Sequence, residues 1–279
     1  ALVHVAGASA DAGKRLFAKT CKSCHGDDAK GAGPRAKDLP LAPTDLTGVD
    51  YLCRSTVSDA KAVPSDDDIE STLTHSTHQG LREIAALDGT QRRSLTLYLK
   101  TLNPEFVRSA QPLSWVAPES PDDAAGRQRG RTLFLAFGCW RCHGVNGEGG
   151  GEALKLIRYN GRPIGVITPL YAHSARRCGN EPTSVYRRVG LGMSTLMPAY
   201  ERFAAYIWRP QKSPEEWGKG TRGRVPAAES QAVHDFYAGL PTKEEVMAMS
   251  EKARRERAGA FLWDLVHYVR ALEAPHASK

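Results

Sequence analysis

With 279 residues, 41% of them hydrophobic and 25% charged, the chain has the length of two domains of about 100 to 150 residues each and a globular composition. No run approaches 18 consecutive apolar residues, which excludes a membrane-spanning helix within it. The formal net charge of +7 is scattered, and the densest basic run, Arg254-Arg255-Glu256-Arg257, is interrupted by acid, so nucleic acid is not an expected partner.

The start at Ala1, with no initiator Met and no basic-then-apolar leader, is compatible with a cleaved export signal. The first predicted helix contains Gly13-Lys14-Arg15-Leu16-Phe17, with Ser9 or Asp11 as N-cap. Cys21-Lys22-Ser23-Cys24-His25 follows at once. Apolar residues at helical spacing return over 90–100, and Asn103-Pro104 stops that helix. Ser109 to Pro121 holds three prolines without periodicity and reads as an extended linker, with Leu113 and Trp115 tucked against a domain surface.

The second half repeats the order. Gly130-Arg131-Thr132-Leu133-Phe134, with Asp122 or Asp123 as N-cap, precedes Cys139-Trp140-Arg141-Cys142-His143. A closing helix is predicted over 260–272. Residues 201–255 are surplus to this repeat, with helix-like runs at 227–240 and 243–257. They read as an added packing layer, or as a lid or docking excursion. Their Gly/Lys/Arg stretch, 218–224, lacks phosphate-loop spacing.

Two C-x-x-C-H runs read as two c-type haem attachments. Thiols at that spacing on an incipient helix reach the two vinyl groups of one porphyrin, through Cys21 and Cys24 and through Cys139 and Cys142. The adjacent imidazoles, His25 and His143, then fall beneath the irons. A thioredoxin-like dithiol is disfavoured because no βαβ pattern surrounds either pair. Zinc is disfavoured because each site lacks a fourth ligand. Four haem propionates would bring the net charge to about +3.

These pieces resemble class I cytochrome c domains, and the pair resembles a dihaem cytochrome c of the bacterial electron-transfer type. The resemblance rests on both haem motifs with Gly26 and Gly144 after the histidines, Pro43-Thr44-Asp45-Leu46-Thr47, the run Gly190 to Tyr200 with Met197-Pro198, and the helices carrying Tyr98 and Tyr268. It covers about 10–104, 125–200 and 255–273. It implies an all-α fold of two domains, each a few helices wrapped round a covalent haem. The first is 1–108, the linker 109–124, and the second 125–279 with the insertion at about 201–255.

The resemblance carries Met197 over as the sixth ligand of the second haem, with Met193 as competitor. All four methionines lie after residue 190, so the first domain has none. Near Leu81, where the family pattern leads one to expect a methionine, stand His75 and His78. A bis-histidine first haem is the leading expectation, with His78 preferred. An open or water-ligated iron, a thiolate from Cys53, and His4 are the alternatives. A thioether favours the ferrous state more than a second imidazole does, which gives the second haem the higher potential.

Cys53 and Cys178 are candidates for a disulfide in an oxidising compartment, or for two free thiols. His173, His234 and His267 stand alone and read as structural, His267 as a core or edge residue of the closing helix. The expected function is electron transfer between redox protein partners in the periplasm or another extracytoplasmic space, alone or as a subunit of an oxidoreductase complex. The rivals are a dihaem enzyme, peroxidase-like or oxidising a small sulfur or nitrogen compound at an open or thiolate-ligated first haem, and a haem-based sensor.

Overall fold

The computed structural model describes residues 7–39, 42–48, 51, 53–58, 61–75, 82–106, 111–112, 117–155, 158–159, 162–163, 170, 181–192, 197–217 and 219–272. The fold is mainly helical. Ser9 starts helix α1 (Ala10–Thr20), its side chain accepting from the Ala12 amide, and Cys21 leads into the single turn α2 (Lys22–His25). Strands β1 (Thr56–Ser58) and β2 (Lys61–Val63) form a short antiparallel hairpin, with Val57 opposite Ala62. Three aspartates occupy the first turn of α3 (Asp66–His75), where they complement the helix dipole. A short α4 (Arg82–Ala85) precedes α5 (Gly89–Thr101), which opens on a capping box formed by Asp88 and Gln91.

The second half begins at Asp123, the observed N-cap of α6 (Ala124–Ala136), followed by the turn α7 (Trp140–His143). Strand β3 (Gln111–Pro112) precedes α6, and a two-stranded antiparallel pair, β4 (Arg158–Tyr159) with β5 (Arg162–Pro163), comes before α8 (Pro182–Leu191) and α9 (Tyr200–Tyr206). Helices α10 (Ala227–Ala238), α11 (Lys243–Ala248) and α12 (Glu251–Arg270) complete the described chain.

One expectation needs correction. The run 243–257 is two helices, because Thr242 and Ser250 each supply an N-cap and Met249 between them is extended, so the closing helix begins inside the supposed insertion. The linker is extended where it is described, and it pairs. Gln111–Pro112 forms strand β3 on the edge of β1, where a proline costs no ladder bond. Further along, the Ala117 and Ser120 carbonyls accept from Trp263 Nε1 at 2.8 Å and His267 Nε2 at 2.9 Å. Leu113 and Trp115 lie outside the described residues.

Each half has its own apolar core. Phe17, Tyr51, Val63, Ile69, Leu95 and Leu99 are buried together in the first. The second gathers Phe134, Tyr186, Leu262, Trp263 and Val266, and Val233, Leu240 and Val246 from the 201–255 segment belong to the same cluster. At about 1.5–3 kcal/mol for each large side chain buried, that segment is part of the core of its half. The packing-layer reading therefore describes what it does structurally.

The two cores are closed by the same device. Gly13 of α1 lies on the Ser94 backbone and Tyr98 of α5, while Phe17 meets the Tyr98 ring at 5.3 Å. Gly130 of α6 lies on the Asp264 backbone and Tyr268 of α12, while Phe134 meets the Tyr268 ring at 5.5 Å. A Cβ on Gly130 would stand 2.0 Å from the Asp264 carbonyl oxygen, and backbone cannot step aside as a side-chain tip can. Gly130→Val is therefore expected to lose about 3 kcal/mol or more. Denaturant unfolding of the purified protein checks this, and an unchanged midpoint would contradict the close crossing.

Candidate haem attachment sites

The two C-x-x-C-H segments share most of their backbone hydrogen bonds. The His25 amide donates to the Cys21 carbonyl and that of Gly26 to Lys22; the His143 amide donates to Cys139 and that of Gly144 to Trp140. Gly26 and Gly144 then turn the chain at φ +83° and +78°, a region side chains disfavour. Downstream, Gly31 and Gly33 return their amides to the His25 and Cys24 carbonyls, as Gly149 and Gly151 do to His143 and Cys142. Leu46 donates to Ala29, and Leu170 to Gly147, the acceptor in each case four residues after the histidine. Glycines six and eight residues after each histidine were a legible signal of this loop that the motif reading passed over.

Each imidazole is prepared to bind a metal. His25 is buried, and its Nδ1 lies 3.0 Å from the Thr44 carbonyl oxygen. A carbonyl only accepts, so Nδ1 carries the proton and the lone pair sits on Nε2, the arrangement found for metal-binding histidines. Burial lowers the pKa of His143 and keeps it neutral, and its buried Nδ1 has no hydrogen-bond partner among the described residues.

The thiols fit the same group. Cys21, Cys24, Cys139 and Cys142 are not disulfide-bonded. Burial raises the pKa of Cys21 and Cys142 and pushes Cys139 up to about 12, a rise that the Tyr200 hydroxyl partly offsets. Among the described residues no group of three or more His, Cys, Asp or Glu is placed to hold a metal ion. Two thiols for thioether bonds and one neutral imidazole beside them are what a covalent haem requires of each segment.

Around the second motif, Arg131 ties four elements together. Its guanidinium donates to the Val145 carbonyl, to Tyr268 Oη at 2.9 Å and to Glu229 at 2.7 Å, joining α6, the loop after His143, α12 and α10. The Arg224 guanidinium lies 5.2 Å from the Trp140 ring centre and 3.1 Å from the Glu152 carboxylate. The 201–255 segment thus touches the haem motif itself.

The remaining candidates fall in different places. Met197 is partly buried against the second core. His75 ends α3, whereas His78, Met193, His4, His173 and Cys178 lie outside the described residues. Cys53 is buried and disulfide-bonded. A disulfide sulfur offers no thiolate, which removes Cys53 as a ligand of the first iron. His267 is fully buried in α12, and His234 lies on α10 beside Trp217 at 5.6 Å.

The family model Cytochrome c matches residues 10–103 and 127–214, one region around each motif. A curated relative, the Cbb3-type cytochrome c oxidase subunit CcoP of Rubrivivax gelatinosus, is 26% identical over 205 residues, covering 70% of this chain and 53% of the relative. The chain spans about half the length of that relative. A solved structure, the Kuenenia stuttgartiensis reducing HAO-like protein complex Kustc0457/Kustc0458, matches with a TM-score of 0.60 and 23% identity over 98% of this chain and 100% of that one, a likeness of fold. With two matched regions spread over most of its length, each containing a C-x-x-C-H turn near its start, the chain belongs to the cytochrome c family, whose work is electron transfer by covalently bound haem.

Proposed function

We propose that this chain is an extracytoplasmic electron carrier with two haems c, one in each of two domains, 1–108 and 125–279, joined by 109–124. The observation that carries the reading is the repetition of one turn: the same backbone hydrogen bonds, the same glycine corner, and an imidazole beside two unbridged thiols. Haem supplies the one-electron Fe(III)/Fe(II) couple.

In this reading Cys21 and Cys24 hold the first haem and Cys139 and Cys142 the second, while His25 and His143 bind the irons from one side. The Thr44 carbonyl fixes the ring of His25. Met197 is the sixth ligand of the second iron. His78 is the sixth ligand of the first, with His75 as its competitor. The chain's tasks are to hold the ligands in place and exclude water from the irons.

The disulfide at Cys53 supports an oxidising compartment. With four of the six cysteines unbridged, Cys178 is its proposed partner by count. Among the described residues no helix is long and apolar enough to cross a membrane. The partners would be redox proteins, and since the curated relative is an oxidase subunit, a place in a larger oxidoreductase complex is part of the proposal.

An EPR-monitored redox titration tests it. Two low-spin centres are expected, with the second haem at the higher potential. His78→Ala should turn the first centre high-spin and leave the second alone. A high-spin centre in the unmodified protein would favour the enzyme reading, because catalysis at iron needs an exchangeable site. An unchanged first centre in both His78→Ala and His75→Ala would remove the bis-histidine assignment.

A further inference from the structure

Among the described residues, the large apolar side chains that stand exposed are Phe203 at 45%, Tyr206 at 39% and Met247 at 56%, and all three belong to the 201–255 segment. Phe203 and Tyr206 are three residues apart on α9 and so share one face of that helix. Arg254 of α12 holds its guanidinium 5.1 Å from the Tyr206 ring centre and donates to the Val246 and Met249 carbonyls, which brings the end of α11, the helix bearing Met247, to the same edge. One turn further along α12, Arg257 donates to the Ile207 carbonyl at the end of α9.

The rim of this face is cationic. Arg202 of α9 is exposed beside Phe203. The α12 carboxylates nearby are taken by other cations, Glu251 by Arg255 at 2.7 Å and Glu256 by Lys252 at 3.8 Å. Glu201 is the single acid of α9, so Arg202, Arg254 and Arg257 outnumber it.

Under the exposed face, aromatic rings run inward to the second attachment site. Phe203 meets Phe137 edge-on at 5.2 Å and Tyr200 at 6.1 Å, and Phe137 and Tyr200, both buried, lie nearly parallel 5.8 Å apart. The Tyr200 hydroxyl is hydrogen-bonded to the Cys139 sulfur. Packed side chains thus connect Cys139 to the surface at Phe203.

We propose that the Phe203–Tyr206 face is where a one-electron redox protein docks on the second half, a partner whose contact surface is apolar at the centre and acidic at the rim. The inference rests on the reading of Cys139 and Cys142 as a haem site. Aromatic and arginine side chains carry most of the binding energy in protein interfaces, and electron-transfer encounters need only a small contact. The cationic rim selects the acidic partner and speeds its approach. A second copy of this chain would set the same rim against itself, which disfavours it as the occupant. Electron tunnelling weakens steeply with distance and passes best through packed atoms, so a partner seated on Phe203 is coupled to the second haem through Phe137 and Tyr200.

The test mixes the full, haem-loaded, reduced chain with an acidic blue copper protein in its Cu(II) form, by stopped flow at low salt. Each transfer takes one electron from Fe(II) to Cu(II), leaving Fe(III) and Cu(I), and moves no proton. Haem is first counted and located by mass. Haem on the first motif alone would sink the second-haem reading, whereas failure of the docking face alone leaves the count at two. Arg202→Glu should lower the second-order rate constant on the order of tenfold, a deficit that closes as added salt screens the rim. Lys14→Glu, the same charge change at an exposed site on α1, should leave the rate constant near its original value. Phe203→Ser and Tyr206→Ser should each lower it roughly fivefold with both midpoint potentials unmoved, and the second of these serves if the first does not fold. Unaltered rates in all three face variants overturn the proposal, as does equal slowing by Arg202→Glu and Lys14→Glu. So does a dimer of the unmodified chain in sedimentation that Tyr206→Ser dissolves, the outcome expected of a second copy on this face.

Discussion

A Cys139→Ala, Cys142→Ala double variant is expected to emerge from denaturation lighter by the mass of one haem, with about half the Soret absorbance per chain. Thioether bonds survive unfolding, so the mass reports attachment rather than affinity. The first half should keep its haem because its core, built on Phe17, Ile69, Leu95 and Leu99, shares no buried residue with the core around Phe134 and Trp263. The remaining centre should keep the spectrum assigned to the first haem. Equal masses for the variant and the unmodified chain would end the reading of Cys139 and Cys142 as attachment points. The corresponding Cys21→Ala, Cys24→Ala variant should give the complementary spectrum.

Met197→His is expected to lower the midpoint of the second centre by a few tenths of a volt, within the span of about 0.8 V that axial ligands cover. A thioether is soft and neutral and favours the ferrous state, whereas an imidazole is a stronger donor to the ferric one. The position tolerates the exchange sterically better than most, since Met197 is only partly buried at the border of its core. Its backbone is tightly placed, with no room for a side chain on Gly192 beside the Met197 and Pro198 carbonyls. Potentiometric titration of the two centres reads the effect. A second midpoint that stays high would transfer the ligand role to Met193.

Much of this protein could be read from short stretches of chain. C-x-x-C-H is complete within five residues, and its chemistry follows from residue type and helical rise alone. The caps at Ser9 and Asp123 and the stop at Asn103-Pro104 depend on equally local rules, and the structure places them as expected. The repeat of Gly and Phe ahead of each motif was legible as a repeat, and the structure uses both copies in matching helix crossings. Other features were hidden because their partners lie far apart in sequence. Nothing near Thr44 marks its carbonyl as the acceptor for His25. Nothing near Glu229 ties it to Arg131, and the break at Met249-Ser250 depends on a cap competing with an otherwise helical run.

The amino-acid order by itself determined the cofactor chemistry, since covalent attachment and an adjacent imidazole require only neighbours along the chain. Tertiary structure alone decided that Cys53 is bridged and that the 201–255 segment is core. It also decided that Arg54 of the first half reaches the Gly192 carbonyl of the second, because burial and hydrogen bonding depend on which distant segments exclude water together.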